Sequence, residues 1–502
     1  MTQELLGAYE HRTIVQDSIH GVIPLNVAEY EILQTPFLRR IHDIKQLGLA
    51  NLVFPSATHS RLEHSLGVMH IAWRMGRRAV EASMRSSDVC AAIFERCDQS
   101  SFASFLQVVR LAGILHDIGH LPFSHMSEEA VEAILSYSEL SPGGEYEKLH
   151  ELYTQTFISK LANILGDEHE DLELYLQATR EALFGRDGRG RGIARDIGLK
   201  EEALGLVKRI MSNYIVDADR LDYLVRDATF TGVVYGFIDI DRMVESLEVR
   251  VKGGRLLMEF NPKASQAVED MFDARYKMYR TLYFHHKLGA IKLAVKRAFD
   301  YIREEWEEVR PRGLDLSLAE VLRAEKLAEL IAEGRFFFDD SDAMSMIKAL
   351  RRSRSEGGRR WASALLHERS LLPVSLIKRP EELFNRLGKW EVSMEEELER
   401  IILGERFNGV WERAAKRAGF STEEVKADGD VQRIYDREAF KEAAFSSLYV
   451  KSLIDVASAP MVFVYAFSEN EEVQRRLYKE RRSVRELFQE ELAEELKASI
   501  RA

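Results

Sequence analysis

Apolar residues recur at three-and-four spacing through long stretches of this chain. The segments SLGVMHIAWRMGRRAVEASM (65–84), QAVEDMFDARYKMYRTLYFHHKLGAIKLAVKRAF (266–299) and SVRELFQEELAEELKASI (483–500) carry it most clearly, and that period predicts amphipathic helices. The expected fold is mainly α. Two segments break the pattern: LEVRVKGGRLLMEF (247–260) alternates on both sides of Gly253 and Gly254, which predicts a β-hairpin, and MVFVYAF (461–467) is a short β-rich run. The stretches GRDGRGRG (185–192) and RRSRSEGGRR (351–360) lack periodicity and are expected as surface loops, with anion binding as the sharper reading. No internal repeat is visible. After RPRGLDLS (310–317) histidine and aromatics thin out and Lys/Glu-rich helices take over. Residues 1–310 are therefore expected to form the chemical core, and 311–502 a C-terminal α(+β) lobe for regulation or assembly.

Composition narrows the class. The chain has 502 residues, 30% of them charged with both signs interspersed and 46% apolar, as in a globular protein with a large core. No apolar run approaches the roughly eighteen residues of a membrane span, and the N-terminus lacks the basic-then-apolar order of a secretory signal. A cytoplasmic location is expected. Cys90 and Cys97 are the only cysteines, which excludes a disulfide framework or a cysteine-rich zinc module. Any metal is left to nitrogen and oxygen ligands. A net charge of -12 argues against a surface built for long nucleic acid.

The candidate chemistry lies in three clusters. LHDIGHLPFSHMSEE (115–129) brings together His116, Asp117, His120 and His125. On a helix, His116 and His120 share a face, and Gly119 and Pro122 place the group at a helix end. Upstream, FPSATHSRLEHSLGV (54–68) contributes His59, Arg61, Glu63 and His64; downstream, IVDADRLDYLVRDA (215–228) holds Asp217, Asp219, Asp222 and Asp227. Two histidines with two aspartates make a ligand field suited to Mn, Fe, Zn or Mg, with open positions for water and a phosphate oxygen.

The order His64, His116-Asp117, Asp219 resembles the HD superfamily of metal-dependent phosphohydrolases. The words DSIHG, IKQLG, HSRLEHSLGV, HDIGHLPFSH, DADRLDYLVRD and ARYKMYRTLY, in that order from about residue 13 to 300, resemble its deoxynucleoside triphosphate triphosphohydrolase branch. That branch includes the animal enzyme with a sterile-alpha-motif and an HD domain, together with bacterial relatives. The resemblance implies an HD-domain helical core that hydrolyses dNTPs to deoxynucleoside and triphosphate. It implies that His64, His116, Asp117 and Asp219 hold a divalent metal, with a further Mg possible on the substrate. His120, His125 and His150 would line the reacting phosphate, His125 as proton donor to the 5′ oxygen. Arg61, Arg220, Tyr223 and Arg275 would bind the triphosphate. Gln46 and Asp227 would grip the 3′-hydroxyl, while Leu47 and Tyr283 would crowd the 2′ carbon.

Two departures from the family pattern matter. Glu128 stands where relatives carry an aspartate that orients a histidine, with a longer side chain that could reach His150 or His120. Gln34, before Thr35 and Pro36, replaces an aspartate that reads the guanine of an activating nucleotide in the animal enzyme; Arg39 and His42 stand at two further activator contacts. A nucleotide effector is thus possible without guanine preference. Relatives of this kind form dimers or tetramers, so a homo-oligomer is expected. The alternatives are an HD phosphohydrolase of another nucleotide (a monophosphate, a cyclic or a guanosine polyphosphate) and a non-catalytic nucleotide sensor. Asp217 and Asp222 are read as structural.

Overall fold

The computed structural model describes residues 11–137, 148–166, 170–185, 191–213, 215–378, 381–387, 392–434, 448–458 and 461–501. Helices dominate, with three small antiparallel sheets beside them. The chain enters through a hairpin that periodicity does not announce, β1 (His11–Asp17) and β2 (Gly21–Asn26). Its turn is the DSIHG word, where the Asp17 carboxylate accepts from the backbone N–H groups of Ile19 and His20.

Helix α1 (Arg61–Arg85) starts where Ser60 and Glu63 close a capping box, and it packs along α2 (Gln99–Leu115) through an almost wholly buried seam. Helix α3 (His125–Tyr137) follows after a turn, then α4 (Leu149–Gly166). Asp217 caps α5 (Ala218–Thr231) by accepting from the Arg220 N–H, and the helix ends at the left-handed Gly232. The hairpin expected at 247–260 is present as β3 (Leu247–Lys252) and β4 (Arg255–Phe260).

The period that predicts one helix over 266–299 is interrupted. Helix α6 (Ser265–Met278) passes into a π turn at Tyr279–Tyr283, and α7 (His286–Glu304) restarts after His285 caps it. A local widening of this kind often marks a functional site. The segment 351–360 also departs from expectation. Ser355 caps helix α8 (Glu356–Leu366), and Arg360, fully buried, lies over the Trp361 ring at 3.5 Å. The ring covers a guanidinium that composition alone assigns to solvent, and Nη2 donates to the Leu371 carbonyl at 2.9 Å. The other arginine-rich stretch falls at 186–190, outside the described residues.

Two apolar cores are present. The larger runs from Ile23 to Phe467 and includes residues 314–365; the second begins at Val374 and closes on α9 (Arg481–Arg501). The sheet between them has the order β5 (Val374–Ile377), β7 (Met461–Phe467), β6 (Lys426–Gln432). Along β7, Phe463, Tyr465 and Phe467 join the first core, whereas Val462, Val464 and Ala466 join the second. A strand buried on both faces has no polar side, which explains the unbroken apolar run in the sequence. The two cysteines are bridged, Cys90 to Cys97, across a Cα separation of 6.0 Å. A single bridge across seven residues of sequence is not a framework. No described helix is long and apolar enough to cross a membrane.

Candidate metal centre and active-site cavity

Helix α2 ends at Leu115, so His116 is its C-cap and residues 116–119 turn away. His116 and His120 therefore do not share a helix face, as their spacing predicts; the turn sends them to adjoining groups. His64, from the first turns of α1, meets His116 and Asp117, and the ligand atoms of the three lie within 4.8 Å of one another. Asp219, from the first turn of α5, brings Oδ1 to 3.1 Å from His64 Nε2 and 3.8 Å from His116 Nε2.

Three observations make this group fit a divalent cation. His64 Nδ1 meets the Asp222 carboxylate at 2.8 Å, and His116 Nδ1 meets the Gly113 carbonyl at 2.8 Å. Both Nδ1 atoms face acceptors, so both donate, and both Nε2 atoms are left as lone pairs. Those two Nε2 atoms are buried without a hydrogen-bond partner among the described residues. Charge agrees with this. Burial alone would lower His64, but Asp219 and Asp222 outweigh it and raise the imidazole to about 10, a proton that a cation at the same place would displace. Burial would likewise raise Asp117, yet His116, Arg61 and His120 hold it well below the usual carboxylate range.

A second group adjoins the first. Glu128 reaches three histidines, with contacts of 3.0 Å to His120 Nδ1, 3.0 Å to His150 Nδ1 and 3.2 Å to His125 Nδ1. The rings of His120 and His150 stack at 4.0 Å, and His125 meets them edge-on. Burial would raise Glu128, but the imidazoles around it hold it far below the ordinary range. His120 is pushed down to about 3 by burial and by Arg61 and His150, so it is neutral at pH 7. His120 Nε2 lies 3.4 Å from Asp117 Oδ1, which joins the two groups.

Between this floor and strands β6 and β7 lies a cavity of about 930 Å³, lined by Gln46, Leu47, Arg61, Asp117, His120, His125, His150, Asp219, Arg220, Tyr223, Asp227, Arg275 and Tyr283 among others. Of the residues expected to hold the metal, line the phosphate or bind the nucleotide, His64, His116 and Glu128 are not among those lining it. Arg61 is buried, paired with Asp117 and donating from Nε to Ser124 Oγ at 2.8 Å. Phe123 and Ser124, the residues just before His125, both have positive φ (60° and 55°). Such strain in consecutive non-glycine residues is found where surrounding contacts over-determine the backbone, and here the Phe123 N–H donates to Asp340 Oδ1 at 2.7 Å. Arg220 donates to the Asn213 and Ile215 carbonyls. Asp227 sits between Tyr283, whose hydroxyl donates to Oδ2 at 2.6 Å, and His59, whose Nε2 is 2.8 Å from Oδ1. Gln46 Oε1 is buried and without a hydrogen-bond partner among the described residues.

Asp222, read from the sequence as structural, is the carboxylate that His64 Nδ1 meets, and His59, from the upstream cluster, buttresses Asp227. Sequence reasoning missed Tyr279, which, four residues from both Arg275 and Tyr283, lines the cavity against each of them. The four-residue spacing in ARYKMYRTLY was a usable signal for Tyr279.

Residues 61–227 match the HD domain model. An uncharacterised protein of Methanocaldococcus jannaschii is 30% identical over 303 residues, covering 60% of this chain and 51% of that protein. Deoxynucleoside triphosphate triphosphohydrolase SAMHD1 of Danio rerio is 26% identical over 304 residues, covering 58% of this chain and 45% of that protein. The match thus spans about half the length of these curated relatives. The crystal structure of a hypothetical protein from Aquifex aeolicus superposes with a TM-score of 0.57 at 22% identity, over 94% of this chain and 99% of that one, and so shares the fold. The stretch that matches the HD domain model includes His64, His116, Asp117 and, adjoining these three, Asp219, and the proteins to which this chain is similar include ones named as deoxynucleoside triphosphate triphosphohydrolases.

Proposed function

We propose that this protein hydrolyses deoxynucleoside triphosphates to deoxynucleoside and inorganic triphosphate in the cavity above His64, His116, Asp117 and Asp219. The observation that carries the reading is the adjacency of two differently built groups. One offers two unpartnered imidazole nitrogens and two carboxylates to a cation; the other offers three histidines to a phosphate and its leaving oxygen. A divalent ion bound by the first group supplies Lewis-acid polarisation and acidifies water.

The chain's own residues do the rest. Water adds to the α-phosphorus as the bond from that phosphorus to the 5′ oxygen breaks, and His125, as an imidazolium whose Nδ1 donates to Glu128, gives its Nε2 proton to the departing 5′ oxygen. His120 and His150 line the phosphate, and His120 is kept neutral, so it does not compete for that proton role as a cation. Arg61, Arg220, Tyr223 and Arg275 bind the triphosphate. Gln46 and Asp227 grip the 3′-hydroxyl, with Gln46 Oε1 accepting its proton, and Leu47 and Tyr283 occupy the space a 2′-hydroxyl would need. The buried, unpartnered Gln46 Oε1 supports a donor arriving with the ligand.

The protein acts as a homo-oligomer in this reading, with residues 311–502 serving regulation or assembly. Val234, Tyr235 and Phe237 support this, since they leave a compact apolar group exposed. The deciding assay offers each dNTP and NTP to the purified protein with Mn or Mg and resolves products by anion exchange. Equal yields of deoxynucleoside and triphosphate are expected. Release of monophosphate, diphosphate or pyrophosphate would replace the reading with another phosphohydrolase activity, and no turnover would overturn it.

A further inference from the structure

The cavity does not end at the sugar site. Beyond Tyr283 its wall continues along Phe284, whose ring meets Phe463 of β7 at 5.7 Å. Phe463 lies directly opposite Asp430 of β6 in the antiparallel ladder, and Tyr465 lies opposite Asp428. Because side chains alternate along a strand and paired residues share a face, Asp428, Asp430 and Gln432 stand on the face that carries Phe463 and Tyr465. All five line the cavity.

The adjoining wall is the face of α7 that presents Gly289, Lys292 and Lys296. Both lysines are engaged by Glu129 of α3, and neither pairs with the β6 carboxylates. Asp430 accepts from Gln432 Nε2 at 2.6 Å. Asp428 has no hydrogen bond or ion pair among the described residues.

Tyr465 is the independent sign of a ligand. It is 5% exposed, and its hydroxyl has no hydrogen-bond partner among the described residues. A Cβ on Gly289 would stand 1.9 Å from that hydroxyl, so the absence of a side chain at Gly289 is what lets the phenol reach the cavity wall. Burial, with the nearby Asp430 carboxylate, holds the phenol above its usual range, so it remains a donor. A buried donor with no acceptor is costly unless something completes it.

We propose that this sheet face is the base-reading wall of the nucleotide site, that Asp428 and Asp430 select a nucleobase carrying an exocyclic amino group, and that the Tyr465 hydroxyl donates to the ring nitrogen beside that group. The inference rests on the nucleotide reading above and adds to it a role for the C-terminal lobe. A carboxylate only accepts hydrogen bonds at neutral pH. Adenine, cytosine and guanine offer an amine donor, whereas thymine and uracil present a carbonyl oxygen at C4, which two carboxylates repel. Phe284 and Phe463 supply the apolar edge against which a base rests, and Tyr283, next in sequence to Phe284, ties that edge to the sugar.

The test compares dCTP with dUTP, which differ at C4 in amine against carbonyl, and dGTP with dITP, which differ by the C2 amine. kcat/KM is measured for wild type, Asp428→Asn, the double variant Asp428→Asn with Asp430→Asn, and Tyr465→Phe. Thermal unfolding verifies that each variant is folded. Wild type is expected to favour dCTP over dUTP by about tenfold, the usual worth of one good base contact, and the ratio is expected to fall toward unity in the aspartate variants. Equal efficiencies in wild type, or an unchanged ratio in the variants, would overturn the wall. Should the double variant fail to fold, Asp428→Asn and Tyr465→Phe decide the question by the same ratio. Should no dNTP be hydrolysed, calorimetric binding of dCTP and dUTP separates the two claims: preferential binding of dCTP sustains the wall while the triphosphohydrolase reading falls, and equal binding overturns the wall itself.

Discussion

Asp222 Oδ2 lies 2.8 Å from His64 Nδ1, with both side chains fully buried. The same carboxylate takes His20 Nε2 at 2.6 Å and the Nε and Nη2 of Arg226, and Arg226 in turn holds Asp17. A carboxylate behind a metal-ligating histidine fixes its tautomer and raises its basicity. Asp222→Asn should therefore weaken metal binding by roughly 10–100-fold, measured by chelator competition, while Asp217→Asn, at the cap of the same helix, should not. Equal metal affinity in Asp222→Asn and wild type would reduce the contact to packing.

The approach of that network to α1 depends on Gly67. A Cβ there would stand 2.0 Å from Asp222 Oδ1 and 2.4 Å from Arg226 Nη2. Since both partners are locked by their own hydrogen bonds, Gly67→Ala should cost at least about 1–3 kcal/mol, as overpacking does in tight cores. Denaturant unfolding of the metal-free protein measures it.

Asp117→Ala should remove bound metal and hydrolysis together, because Asp117 is both a member of the ligand group and the partner of Arg61. Elemental analysis decides the first half: unchanged stoichiometry would exclude Asp117 from the ligand set.

His125→Ala should leave metal content intact and lower turnover by roughly two to four orders of magnitude, the worth of a positioned general acid. A near-normal rate at neutral pH would move the proton donor elsewhere, with His150 next to be tested.

Tyr283→Ala should raise the efficiency of ribonucleotides relative to deoxyribonucleotides. The hydroxyl is not idle in the folded protein, since it donates to Asp227; Tyr283→Phe should accordingly impair 3′-hydroxyl binding, seen as a raised KM, while keeping discrimination at the 2′ carbon. A Tyr283→Ala protein that is only less stable, with the dNTP-to-NTP ratio unchanged, would reduce the ring to a packing role.

The sequence by itself determined the helical class, the hairpin at 247–260, the strand at 461–467 and the residue types at His64, His116, Asp117 and Asp219 that the fold brings together. These are short-range properties: a period, a turn or a spacing acts within one or two helical turns, and the residue types at His64, His116, Asp117 and Asp219 already state their chemistry. Spacing also misled where the chain leaves its helix, as at Leu115, after which His116 and His120 part company, and at Tyr279, where a π turn breaks the run. Only the tertiary structure decided what those side chains face. His64 and Asp222 are 158 residues apart and His20 and Asp222 are 202 apart, so no local pattern links them. The same holds for β7, whose apolar run is equally compatible with one core or two until β5 and β6 pair on either side of it. Partners brought together over such separations are chosen by the packing of whole helices and sheets, which turned an aspartate of ordinary helix spacing into the partner of His64 and gave a C-terminal strand a face on the cavity.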